Sequence, residues 1–183
     1  MRPDDEGKPT ARRQFKQALS KLSHDELIKL VGDLYSVNPD NRRLLEARFA
    51  LAAPLETYKE LIRDAVYPDV MKGSAPISFA DARKAISDYK KATGDQKGVL
   101  ELMVYAVEWG NAFTVEYGDI DERFYDNLES LFRKTVLFLK TMDGQATEAY
   151  LPRLKAVVEA ASGIGWGYYD GISDALAQAF PPD

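Results

Sequence analysis

Apolar residues recur at helical spacing along almost the whole chain, interrupted by proline, glycine and capping residues. Phe15, Ala18, Leu19 and Leu22 share one face of a first predicted helix, from about Ala11 to Leu22. Ser23-His24-Asp25-Glu26 is a capping box, in which the serine accepts from the third helical N–H and the glutamate reaches back. It opens a helix striped by Leu27, Leu30, Val31, Leu34 and Tyr35. Asn38-Pro39 restarts the chain, because proline is preorganised for the first helical position, and that helix runs to about Ala52. Pro54 opens another, which stops before Pro68. Ser78 with Asp81 caps the next, with Phe79, Ala82, Ile86 and Tyr89 on its apolar face.

The stretch from Val99 to Trp109 differs from these. It is apolar nearly all round, interrupted only by Glu101 and Glu108, and such a helix belongs at the centre of a bundle. It is predicted to continue to Tyr117, with Gly118 ending it and Asp119 capping the following helix. That helix carries Ile120, Phe124, Leu128, Leu131, Thr135 and Phe138 on one face. Helices from about Ala146 to Ala161 and from about Tyr168 to Phe180 complete the chain. No alternating run of β-branched residues predicts a strand. The expected fold is all-α: about eight or nine helices in a single-domain bundle or short helical-hairpin array over residues 11–183. A polar, disordered leader is expected over residues 1–10.

Where the last two helices meet, four glycines fall within nine residues, around one of the two tryptophans and a Tyr-Tyr pair. Glycine is costly inside regular structure, so the cluster marks special backbone geometry or close approach. Gly163, Gly165, Trp166, Gly167, Tyr168, Tyr169 and Asp170 form the candidate binding surface. The G-x-G-x-G spacing lacks the third position of a dinucleotide fingerprint and the Lys-Ser/Thr of a phosphate loop. Residues 156–183 hold four acidic residues and no basic one, which argues further against phosphate. The favoured reading is a tight turn that sets Trp166 against a neighbouring helix.

Glu101 and Glu108, seven apart on one face of the central helix, are candidate carboxylates for acid–base chemistry. Unpaired burial would be expensive, so the bland alternative is an ion pair with an arginine such as Arg83, Arg123 or Arg133. Glu116, Asp119, Asp121 and Glu122 form an acidic cluster read as helix capping, since the calcium-loop pattern is missing. Arg12, Arg13, Lys16 and Lys21 form a basic helix over residues 12–21, read chiefly as a solvated face. His24 is an exposed first-turn residue.

Composition removes several classes. There is no cysteine, which excludes disulfides and thiol catalysis, and one histidine cannot build a structural zinc site. No metal and no cofactor is expected. No run approaches the roughly 18 apolar residues of a spanning helix, and the N-terminus lacks a signal sequence, so a cytoplasmic protein without membrane association is expected. The net charge of −5 is uneven, with 17 basic against 14 acidic residues up to Lys91 and 7 against 15 beyond it. Such asymmetry is compatible with a homo-oligomer assembled head to tail.

Four segments occur in a recognisable order: Leu19–Leu30 (LSKLSHDELIKL), Phe79–Lys91 (FADARKAISDYKK), Glu116–Tyr125 (EYGDIDERFY) and Ser162–Gly167 (SGIGWG). Over roughly Phe15 to Phe180 the chain resembles an uncharacterised family of small helical bacterial proteins, a domain of unknown function. The resemblance implies an all-helical single domain and carries no activity, cofactor or site residue with it. The resulting expectation is a protein-interaction or adaptor module with a protein partner, rather than an enzyme. The alternatives are a small-ligand-binding protein or carboxylate-dependent hydrolase with its pocket near residues 162–170. Weak nucleic-acid association through residues 12–21 stands last.

Overall fold

The protein is described from a computed structural model, which covers residues 10–51, 53–69, 73 and 76–181. Among these residues there are nine helices and no strand, so the fold is all-α. They are α1 (Ala11–Leu19), α2 (His24–Val37), α3 (Pro39–Phe49), α4 (Pro54–Val66), α5 (Phe79–Thr93), α6 (Gln96–Tyr117), α7 (Glu122–Lys140), α8 (Gly144–Ala160) and α9 (Tyr168–Ala179). The expected leader lies outside the described residues except for Thr10, which precedes α1.

The chain divides into two units, Met1–Leu45 and Glu46–Asp183, with the boundary inside α3. In the first unit, α1 stops at Leu19, short of the expected Leu22, and the capping box of Ser23 and Glu26 is fully formed. Neither α1 nor α2 contains a buried residue.

The second unit holds the core. Its centre is α6, where Leu100, Leu102, Val104, Ala106 and Val107 are wholly buried although they point in different directions around the helix. That all-round apolar surface requires cover on several sides, and α4, α5, α7 and α8 provide it. Helix α9 packs on α7 and α8. The side chains of Ser78, Asp95, Asp121 and Asp143 cap α5, α6, α7 and α8, each satisfying an otherwise orphaned N–H. Asp121 therefore takes the role the sequence assigned to Asp119. It lies next to the first helical residue, and its Oδ1 accepts from the Phe124 N–H at 2.7 Å.

Close approach sets Gly98, Gly110 and Gly171, and it is against a rigid ring at Gly98. A Cβ on Gly98 would lie 2.7 Å from Tyr89 Cε1 and 2.5 Å from Asp95 Oδ2, and closer still to the Tyr89 hydroxyl. Tyr89 is buried and donates its hydroxyl to Asp95 at 2.9 Å, so its ring has little room to retreat. Gly98→Ala gains up to about 1 kcal/mol of helix propensity. The clash with a rigid ring costs more, and the expected outcome is a net loss of about 1–2 kcal/mol in urea unfolding. Unchanged or increased stability would contradict this packing.

Candidate functional site

The glycine turn joins α8 to α9. Ile164 N–H donates to Ala161 O at 3.0 Å and Tyr168 N–H to Gly165 O at 3.2 Å, which closes two successive turns. Gly163 and Gly167 lie at φ +86° and +71°, the left-handed region that glycine enters without penalty. Trp166 shares that region at φ +60° although it is neither glycine nor asparagine. For a bulky residue this is an outlier.

The Trp166 side chain does not fill the core. It is 57% exposed, and its indole Nε1–H donates to both carboxylate oxygens of Asp119, each at 2.8 Å. The Tyr125 hydroxyl donates to Asp119 Oδ1 at 3.0 Å and lies 2.7 Å from Thr114 Oγ1. A chain of polar contacts thus runs from the buried face of α6, through α7, to the surface tryptophan. Asp119 is free for this because Asp121 caps α7.

The candidate surface splits. Gly163, Gly165, Trp166, Gly167 and Asp170 are exposed, and Tyr169 is half-buried. Tyr168 corrects the sequence reading: it is fully buried, its hydroxyl donates to Asn111 Oδ1 at 3.0 Å, and its ring centroid lies 5.5 Å from that of Tyr125. Burial, with Tyr125 and Glu129 nearby, raises its phenol well above the ordinary tyrosine value. The first residue of α9 faces the core, and the strained residue two positions before it faces water. Three grooves formed by described residues lie elsewhere, none of them lined by residues 162–170.

Glu101 and Glu108 meet on one face of α6 and are paired, though not with Arg83, Arg123 or Arg133. Their partner is Arg153 of α8. Its Nε and Nη2 each lie 2.7 Å from one oxygen of Glu108, and its Nη1 lies 2.6 Å from Glu101. Lys59 of α4 adds a 3.0 Å contact to Glu101. Burial pushes the Glu101 carboxyl upward, but hydrogen bonds from Arg153 and then Lys59 outweigh it and hold the carboxyl below its ordinary value. Hydrogen bonding to Glu108 is the chief reason that Arg153 is held above its own. Bidentate pairing of this kind is strong and directional. Both carboxylates are thus engaged by cations from neighbouring helices.

The sequence reading missed Lys59 and Arg153. Two glutamates on an apolar helix called for a cation, and Arg153 is the only arginine after Arg133. Glu116 accepts from the Tyr67 hydroxyl, and Glu122 sits in the first turn of α7. Hydrogen bonding to Glu116, with burial second, pushes the Tyr67 phenol up to about 12. Among the described residues no three acidic or histidine side chains converge as a metal cage. Arg12, Arg13, Lys16, Lys21 and His24 are all exposed.

The chain matches no protein-family model, no curated protein and no solved structure.

Replacing Arg153 with methionine keeps much of its apolar stem, strands Glu108 and leaves Glu101 with Lys59 alone. The cluster is only partly buried, so the expected loss at neutral pH is about 2 kcal/mol, below that of a fully buried pair. Because the Glu101 carboxyl is lowered on folding, its contribution is complete above the ordinary value of 4.5 and fades as pH falls through the folded value. Urea unfolding of both forms across that range should show their difference shrinking below pH 4.5. A constant difference would contradict the assigned pairing.

Proposed function

We propose that the protein is an interaction module that presents Trp166 to a protein partner. One observation carries this reading: a large aromatic side chain is held more than half exposed on a backbone conformation that tryptophan rarely adopts. Strain of that kind costs roughly 1–3 kcal/mol and is characteristic of sites where geometry serves something other than stability. The Asp119 carboxylate fixes the indole, so little side-chain freedom is lost on binding. Tryptophan is also the residue type most enriched among interface hot spots.

The setting suggests the partner's chemistry. Asp119 and Asp170 are exposed near the turn, and the chain beyond Lys155 carries no basic residue. A segment pairing an apolar side chain with lysine or arginine fits such a surface. Hydrolysis through Glu101 and Glu108 fits less well, since Arg153 and Lys59 already hold both groups.

Trp166→Gly removes the indole and relieves the backbone. Its melting temperature should match or exceed that of the parent, while affinity for a partner isolated with the parent protein falls by about thirtyfold or more, as for a hot-spot residue. Trp166→Phe, which lacks the N–H, should lose part of that affinity. A Trp166→Gly variant that unfolds, or that binds the same partner equally well, would refute the proposal.

A further inference from the structure

The six arginines of residues 46–183 are not equivalent. Arg48 donates to the carbonyls of Ala92 and Lys91, and Arg63 lies over the Trp109 ring at 4.5 Å. Arg133 pairs with Glu129, and Arg153 with the two glutamates of α6. Among the described residues, no carboxylate pairs with either Arg83 or Arg123. Both line the same groove.

That groove lies between the first turns of α5 and α7 and has a volume of about 500 Å³, within the usual range for small-molecule sites. Ile77, Phe79, Ile120 and Phe124 supply apolar walls. Asn127 organises the polar side. Its Oδ1 accepts from Arg83 Nη2 at 2.8 Å, and its own amide donates to the Arg123 carbonyl at 2.7 Å. Arg83 is therefore half-buried and held in place by a neutral partner, with its remaining N–H groups available.

Charge narrows the ligand. The lining contains two guanidinium groups and one carboxylate, that of Asp121, which is engaged in capping α7. The balance is a single positive charge, which suits a monoanion better than a phosphate dianion. A guanidinium matches the planar fork of a carboxylate, and the apolar walls call for a hydrocarbon body. We propose that this groove binds a small amphipathic monocarboxylate. Its head sits on Arg83 and Arg123, and its apolar part rests against Phe79 and Phe124.

The site is independent of Trp166, so either reading can fail alone. The test is calorimetric titration of the full chain with 4-phenylbutyrate and octanoate, beside the neutral 4-phenylbutanol and inorganic phosphate at matched ionic strength. Saturable binding of at least one carboxylate is expected, with the alcohol and phosphate weaker by about tenfold or more. Arg83→Gln and Arg123→Gln should each weaken the carboxylate by about tenfold. The Arg12→Gln/Arg13→Gln control, altering exposed residues of α1, should leave it unchanged. Circular dichroism of each variant guards against loss of fold, which Arg83→Gln should preserve because glutamine can still donate to Asn127. Absence of carboxylate binding, equal binding of phosphate, or binding that survives the combined Arg83→Gln/Arg123→Gln change would overturn the proposal.

Discussion

Helix α6 has no face it can turn to water without exposing apolar surface, and the arrangement of residues 46–183 follows from that. Leu100, Leu102, Val104, Ala106 and Val107 are all inaccessible to solvent, which one covering layer cannot achieve for a single helix. Helices α4, α5, α7 and α8 therefore share the work, and α9 closes over α7 and α8. Leu128, Phe132 and Leu139 on α7 show the same economy on a smaller scale, buried on one face while the rest of the helix is solvated. The hydrophobic effect is proportional to area and carries no direction, so it explains that these helices gather but not which pairings result.

Direction comes from the few polar groups admitted to the interior and its edge. Arg153 reaches both glutamates of α6 only if α8 lies at one axial position, and Lys59 imposes the same condition on α4. Asn111 meets the Tyr168 hydroxyl only if α9 starts where it does. Each contact would leave a desolvated charge or dipole if its helix slid by a turn, and that penalty exceeds the modest net gain of making the bond. Apolar packing supplies the stability, and these fixed points select one register.

Much of the architecture was legible in the sequence because helix caps and periodicity are local. The capping box at Ser23, the cap at Ser78, the stop at Gly118 and the buried centre of α6 all depend on residues a few positions apart. What failed depended on distance or on phase. That Glu101 and Glu108 needed a cation was readable, but which arginine supplied it rested on which helix packs there. Arg83 and Arg123, set aside as candidate partners, turned out to face a groove instead. Around the glycine turn, helical phase cannot be carried through residues at positive φ, so Trp166 and Tyr168 could not be sorted into exposed and buried. Asp119 and Asp121 are equally good caps by type, and only the observed start of α7 separates them.

The connection Gly118–Asp121 joins α6 to α7, and successive residues in it face unrelated tasks: Asp119 holds the indole, Ile120 walls the groove, and Asp121 starts the helix. Surface connections ordinarily absorb insertions and deletions because nothing depends on their length. This one has no slack. A residue added or removed here would rotate each side chain into its neighbour's place, so among homologues its length should vary less than its composition.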